Sequence, residues 1–190
     1  MLSPRKHAQA GFTLIEILVA LALITLLAVG ISLSFDGSRS RAQALLSNMT
    51  ELGAANVRLK NDTGCYVSVP GALVDQTLAA STANNYCNRS LANTWNGPYV
   101  APFATDTNSN VKLDKVADGV TVGFGEQAGG AYGAAGSQYF VIANSVPPDV
   151  VKQAFTECNG QVNAGNKFTG YKCDGDPTNG TFEILYDETR

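Results

Sequence analysis

Glu16 is the only charged side chain between Phe12 and Leu33 in a run that reads FTLIEILVALALITLLAVGISL. A carboxylate inside such a run costs about 2.5 to 3.5 kcal/mol on insertion scales, so it calls for a counter-charge. Buried and unpaired it is a liability. Paired, it can set the register of neighbouring helices. Thiols are the second candidate chemistry: Cys65, Cys87, Cys158 and Cys173. None forms a C-x-x-C pair, which argues against a four-cysteine zinc site and against thioredoxin-like exchange. All four follow the apolar run, and an even number on the side an anchor would export predicts two disulfides. Three connectivities are open. The local pairs Cys65–Cys87 and Cys158–Cys173 are favoured because each closes a short loop, and a loop of about 15 residues is worth about 3 kcal/mol in the chain-entropy model. Oxygen ligands are the third: Asp106, Asn108 and Asn110, followed by Asp114, resemble the first half of a calcium loop. Val111 stands where that loop needs glycine, and Ala117 where it needs glutamate. A polar Asn/Asp turn accounts for the same residues and is the preferred reading. No cofactor is expected, and calcium is carried as a candidate ligand only. Asp174-Gly175-Asp176 is a second, weaker acidic turn.

Other classes are excluded by what is missing. His7 is the only histidine and precedes the apolar run. The sequence after it therefore offers no Ser-His-Asp or Cys-His nucleophile, no histidine general base and no histidine metal ligand. No other catalytic constellation is present, so an enzyme is not expected. The chain has 13 Lys and Arg against 16 Asp and Glu, a formal net charge of −3. Residues 34–190 contain no basic block, so no nucleic-acid partner is expected.

The residues around Glu16 form a longer pattern. Arg5, Lys6 and His7 lead into Gly11-Phe12-Thr13-Leu14-Ile15-Glu16 and then into the apolar tail. This stretch resembles the class III signal of type IV pilins and pseudopilins. A cleaved secretory signal fits less well, because the run is too long and no Ala-x-Ala site precedes polar sequence. The resemblance implies cleavage between Gly11 and Phe12 by a prepilin peptidase on the cytoplasmic side, and N-methylation of Phe12. It makes Glu16 the fifth mature residue and gives it a partner, the amine of Phe12 on a neighbouring subunit. It implies a homopolymeric filament, an inner-membrane assembly machinery, and a single-pass stay in the inner membrane before an extracellular pilus or periplasmic pseudopilus forms. A major pilin is the favoured subunit type; a pseudopilin and a minor pilin or adhesin-type binding module are the alternatives. The Cys158–Cys173 loop resembles the C-terminal disulfide loop of many type IV pilins. Trp95-Asn96-Gly97-Pro98-Tyr99 loosely resembles a segment of major pseudopilins, some of which bind calcium. The family's proline near the position of Leu33 is absent.

The elements follow from periodicity. Residues 1–11 read as a leader, 12–33 as a transmembrane or filament-core helix, and 34–190 as an amphipathic helix half with an extracytoplasmic domain. A helix over Phe12–Leu33 reaches about 33 Å at 1.5 Å per residue, enough to cross a bilayer core. Beyond it, Ala42, Leu45, Leu46, Met49, Leu52 and Leu59 keep a spacing near i, i+3, i+4, i+7. One long helix from Phe12 to about Asn61 is expected, with its Leu45/Leu52/Leu59 stripe on a sheet. Asn61-Asp62-Thr63-Gly64 stops it. Strand patterns fall at Gly119–Phe124, Gln138–Ala143 and Thr181–Tyr186, a short helix at Pro148–Cys158, and turns over Gly160–Gly180. Leu73–Ala80 reads as a helical turn or two, Gly129–Gly136 as a loop. Trp95 and Tyr99 are expected to pack on the seam between helix and sheet. The fold class is α+β: a long N-terminal helix packed on a small antiparallel sheet of three to five strands, as in type IV pilins.

Overall fold

A computed structural model describes residues 14–32, 37–128, 136–159, 168 and 172–188, and of residues 26–32 and 159 the backbone alone. The chain divides into two compact units, Met1–Gly37 and Ser38–Arg190. In the first, α1 runs over Leu14–Ser32. In the second, α2 (Gly37–Thr63), α3 (Gln76–Ala80), α4 (Pro148–Asn159) and five strands make an α+β domain. The helix expected over Phe12–Asn61 is thus seen in two pieces, and residues 33–36 between them lie outside the described residues.

The amphipathic half behaves as its spacing requires. Ala42, Leu45, Met49, Leu52, Ala55 and Leu59 are buried, while Arg39, Gln43, Glu51 and Arg58 stay exposed. Gly53 is buried inside α2 because Tyr186 lies on it. A Cβ at this position would stand 2.8 Å from Tyr186 Cβ. Glycine weakens a helix interior by roughly 1 kcal/mol, and here the loss is offset by close packing. The helix stops at Gly64, whose φ of +76° is the left-handed conformation of a helix C-cap. Gly64 N donates to Lys60 O at 2.6 Å.

The strands are β1 (Val111–Lys112), β2 (Thr121–Ala128), β3 (Ser137–Asn144), β4 (Cys173–Asp176) and β5 (Thr181–Glu188). They form one sheet in the order β1-β2-β3-β5-β4, every pair antiparallel. Directly paired residues share a face. One row is therefore Val111, Val122, Ala143 and Phe182, and the next is Phe124, Val141, Ile184 and Cys173. Both rows belong to a core with the buried face of α2 and with Val150, Val151, Ala154 and Phe155 of α4. Phe155 meets Phe182 edge-on, centroids 5.4 Å apart. The opposite face carries Gly123 and Gly125 on β2, with Phe140 beside Phe168 at 5.3 Å. Gln138, 2% exposed, has no partner for its Nε2 among the described residues.

Two strands were invisible to periodicity. β1 is only two residues long. β4, Cys-Asp-Gly-Asp, has no β-branched or aromatic residue and falls in a stretch read as turns. Tertiary pairing with β2 and β5 supplies what local propensity does not. The loop expected at Gly129–Gly136 lies, up to residue 135, outside the described residues.

Candidate functional site

Helix α1 has no face to bury. Leu14, Ile15, Ile17, Leu18, Val19, Leu21, Leu23 and Ile24 are between 52% and 77% exposed and point in every direction around the axis. A helix apolar all round belongs in lipid or among other helices. Glu16 lies on this surface in the first turn, where the helix dipole favours a carboxylate. Ile17, Ala20 and Leu21 share a shallow depression with it. Gly11 and Phe12, the predicted cleavage and methylation residues, lie outside the described residues. Among the described residues no helix is long and apolar enough to cross a membrane. The span expected over 12–33 runs past them at both ends.

Glu16 thus lies near the start of a helix that is apolar on all sides and follows Arg5, Lys6 and His7 in the sequence. Residues 6–32 match the family described as the prokaryotic N-terminal methylation motif. This is a type IV prepilin-like signal. It supports a type IV pilin or pseudopilin subunit, and it implies processing by a prepilin peptidase and assembly into a filament. No curated protein and no solved structure matches the chain. The matched residues lie within the N-terminal unit, Met1–Gly37.

In the globular unit Cys65 pairs with Cys87 and Cys158 with Cys173, the two local loops. The candidate calcium residues take another arrangement. Asp106 Oδ1 accepts from the backbone N–H groups of Asn108 (2.8 Å) and Asn110 (2.9 Å), and Asp106 Oδ2 from Asn110 Nδ2 at 3.1 Å. Burial alone would raise the Asp106 pKa. These hydrogen bonds outweigh it and hold the carboxyl below its usual range. Asn110 turns its amide N–H₂ toward Asp106, where a cation would need its oxygen. Asp106, Asn108 and Asn110 are brought together as a turn closed on its own amides. Asp114 lies beyond β1, outside this turn. Among the described residues no cluster of His, Cys, Asp or Glu could hold a metal. In the second acidic turn the Asp176 carboxylate accepts from Thr178 N at 2.7 Å, which lowers its pKa.

The loop 95–99 packs on the domain as expected. Trp95 Nε1 donates to Ala72 O at 3.0 Å, and the Trp95 and Tyr99 rings meet edge-on at 5.8 Å. Arg58 on α2 donates to Tyr99 O at 2.7 Å, and the Tyr99 hydroxyl donates to Asp62 at 2.9 Å. A cleft of about 460 Å³ separates Asn48, Glu51 and Leu52 of α2 from the Val100–Val116 segment. Its walls carry Glu51, Lys112, Asp114 and Lys115 but no serine, threonine, cysteine or tyrosine nucleophile.

Sequence reasoning missed a tyrosine cluster. Tyr66 contacts Tyr139 (4.3 Å) and Tyr186 (5.6 Å), and Tyr86 contacts Tyr139 (5.6 Å). Tyr66 donates a hydrogen bond to Asp187, which also pairs with Lys60 at 3.5 Å. Burial, helped by the nearby Glu126 charge, raises the Tyr86 pKa, and burial raises that of Tyr186. Beneath them Asn56, fully buried on α2, donates to Val67 O (3.0 Å) and Tyr186 Oη (2.9 Å) and accepts from Val67 N (3.1 Å). One clue was present: Tyr66 follows Cys65, and Tyr86 precedes Cys87. Each cysteine of the Cys65–Cys87 pair is therefore next in sequence to a ring that reaches Tyr139 on β3.

Proposed function

We propose that this chain is the major structural subunit of an extracellular type IV pilus-like filament. A prepilin peptidase cuts between Gly11 and Phe12, and Phe12 is N-methylated. The helix over Phe12–Leu33 holds the subunit in the inner membrane, single-pass, until the assembly machinery moves it into the filament core. There it exchanges lipid for neighbouring helices of the same kind. Packing and charge pairing, rather than a fresh hydrophobic gain, then guide assembly. Glu16 accepts the amine of Phe12 from the next subunit and so fixes the axial step.

The observation that carries this reading is Glu16 on an α1 surface that is apolar and exposed on every side, behind the matched signal. The paired Cys158–Cys173 loop near the C-terminus favours a pilin over a pseudopilin. A periplasmic pseudopilin is the second reading, supported by the Trp95–Tyr99 loop docked on α2. Neither reading needs catalysis or a cofactor, and calcium and a chelator should leave the same melting temperature. Mass spectrometry of sheared surface filaments tests the proposal. Abundant filaments whose subunits begin at N-methyl-Phe12 are expected. An intact chain starting at Met1 and found only in membranes would refute it, and a mature chain absent from surface filaments would favour the pseudopilin.

A further inference from the structure

The two disulfides differ in how a thiol can reach them. Exchange needs a thiolate to approach one sulfur in line with the bond, so access to the attacked sulfur controls the rate. Cys65 is 2% exposed, and Cys173 is fully buried on β4. Cys158 is half-buried in the last turn of α4. Cys87 alone is exposed, in a turn whose neighbours Asn88, Arg89 and Ser90 are exposed as well.

That turn is also held by hydrogen bonds. Asn85, 4% exposed, accepts from Cys87 N (3.1 Å) and Arg89 N (3.3 Å) and donates to Ser81 O (3.0 Å) and Arg89 O (2.7 Å). Arg89 in turn donates to Thr63 O at 2.5 Å. A guanidinium two residues past Cys87 thus reaches the backbone two residues before Cys65.

We propose that Cys87 is the entry sulfur for thiol–disulfide exchange with a protein dithiol–disulfide carrier, and that the Cys65–Cys87 bond forms and opens ahead of Cys158–Cys173. In the forming direction the Cys87 thiolate attacks the carrier's disulfide. A mixed disulfide forms, and one carrier sulfur leaves as a thiolate. The Cys65 thiolate then attacks Cys87 Sγ, the native bond forms, and the second carrier sulfur leaves. The pair loses two electrons and the carrier gains them; the two thiol protons go to solvent. Opening runs through the same mixed disulfide. That the carrier is extracytoplasmic rests on the export of residues 34–190 proposed above. The exchange chemistry itself does not.

The test uses the purified full chain in detergent with both disulfides formed. Limiting reduced glutathione is added, free thiols are alkylated at intervals, and peptides are mapped by mass spectrometry. Glutathione on Cys87 and alkyl label on Cys65 should appear first, at least about tenfold faster than any label on Cys158 or Cys173. Glutathione on Cys65, or opening of Cys158–Cys173 first or at the same rate, overturns the proposal. A second measurement compares Cys65→Ser with Cys87→Ser, each reacted with glutathione disulfide. The thiol of Cys87 should react at least about tenfold faster than that of Cys65 in native buffer, and equally fast in denaturant. Equal rates in native buffer, with native circular dichroism, also overturn it. Export is read separately from the N-terminus of sheared filaments, so a failure of either idea is recognisable as its own.

Discussion

Helices α1 and α2 are neighbours in sequence and opposites in physics. The first is apolar on every side and leaves those side chains exposed. The second alternates, buries Leu45, Met49, Leu52 and Leu59, and keeps its arginines in solvent. The difference teaches where each helix finds its partners. An amphipathic helix is completed by its own domain, while a helix with no polar face is completed only by other molecules. Glu16 and Asn56 are the polar groups to set side by side. Asn56 finds all its hydrogen bonds inside the domain. In the proposed filament, Glu16 finds its charge partner on another chain.

Substitutions can break this contrast. The largest effect is expected from Glu16→Ala, which should leave membrane insertion and the melting of the domain unchanged but sharply reduce filaments counted by electron microscopy. Normal filament number and length would remove the pairing with Phe12. Next is a matched pair of truncations. Leu59→Ala should cost about 2 to 5 kcal/mol in urea unfolding, because it opens a cavity in the core. Leu18→Ala should leave that transition in place; an equal loss would mean that α1 has a partner within its own subunit. Asn56→Leu follows, at about 2 to 3 kcal/mol, because both backbone groups of Val67 and the Tyr186 hydroxyl lose a partner. Gln138→Met is expected to change stability by less than about 1 kcal/mol in either direction, since it removes an amide whose Nε2 has no partner among the described residues.

The tyrosine cluster adds a pH test confined to the globular unit. Tyr86 and Tyr186 have folded pKa values raised above the ordinary 10.0. As pH rises past that value, the unfolded chain releases protons that the folded chain keeps. Stability is therefore complete below about pH 10 and falls above it. Urea midpoints between pH 8 and pH 11 measure this. A flat profile would mean that the rings are not buried as described.

Much of the contrast was legible before any coordinates. An uninterrupted apolar run and an i, i+3, i+4, i+7 stripe are local patterns, and each says whether a helix has one face or none. The helix stop at Gly64, the proline opening of α4 and the cores of β2, β3 and β5 were legible for the same reason: turn chemistry and alternation act over a few residues. β1 and β4 were not, because a short polar strand is made by its neighbour's hydrogen bonds. Asn56 read as one more polar residue on α2; only the return of Val67 and Tyr186 to the same point made it a buried anchor.

By itself, then, the sequence determined the prepilin-like signal, the lone carboxylate in its apolar tail and the absence of histidine chemistry beyond it. These are facts of composition and short-range order, fixed before the chain folds. Only the tertiary structure decided that four tyrosines meet across long stretches of chain, and that Cys87 is exposed while Cys65 is buried. Each depends on which distant backbone a side chain meets, and local spacing carries no information about that encounter.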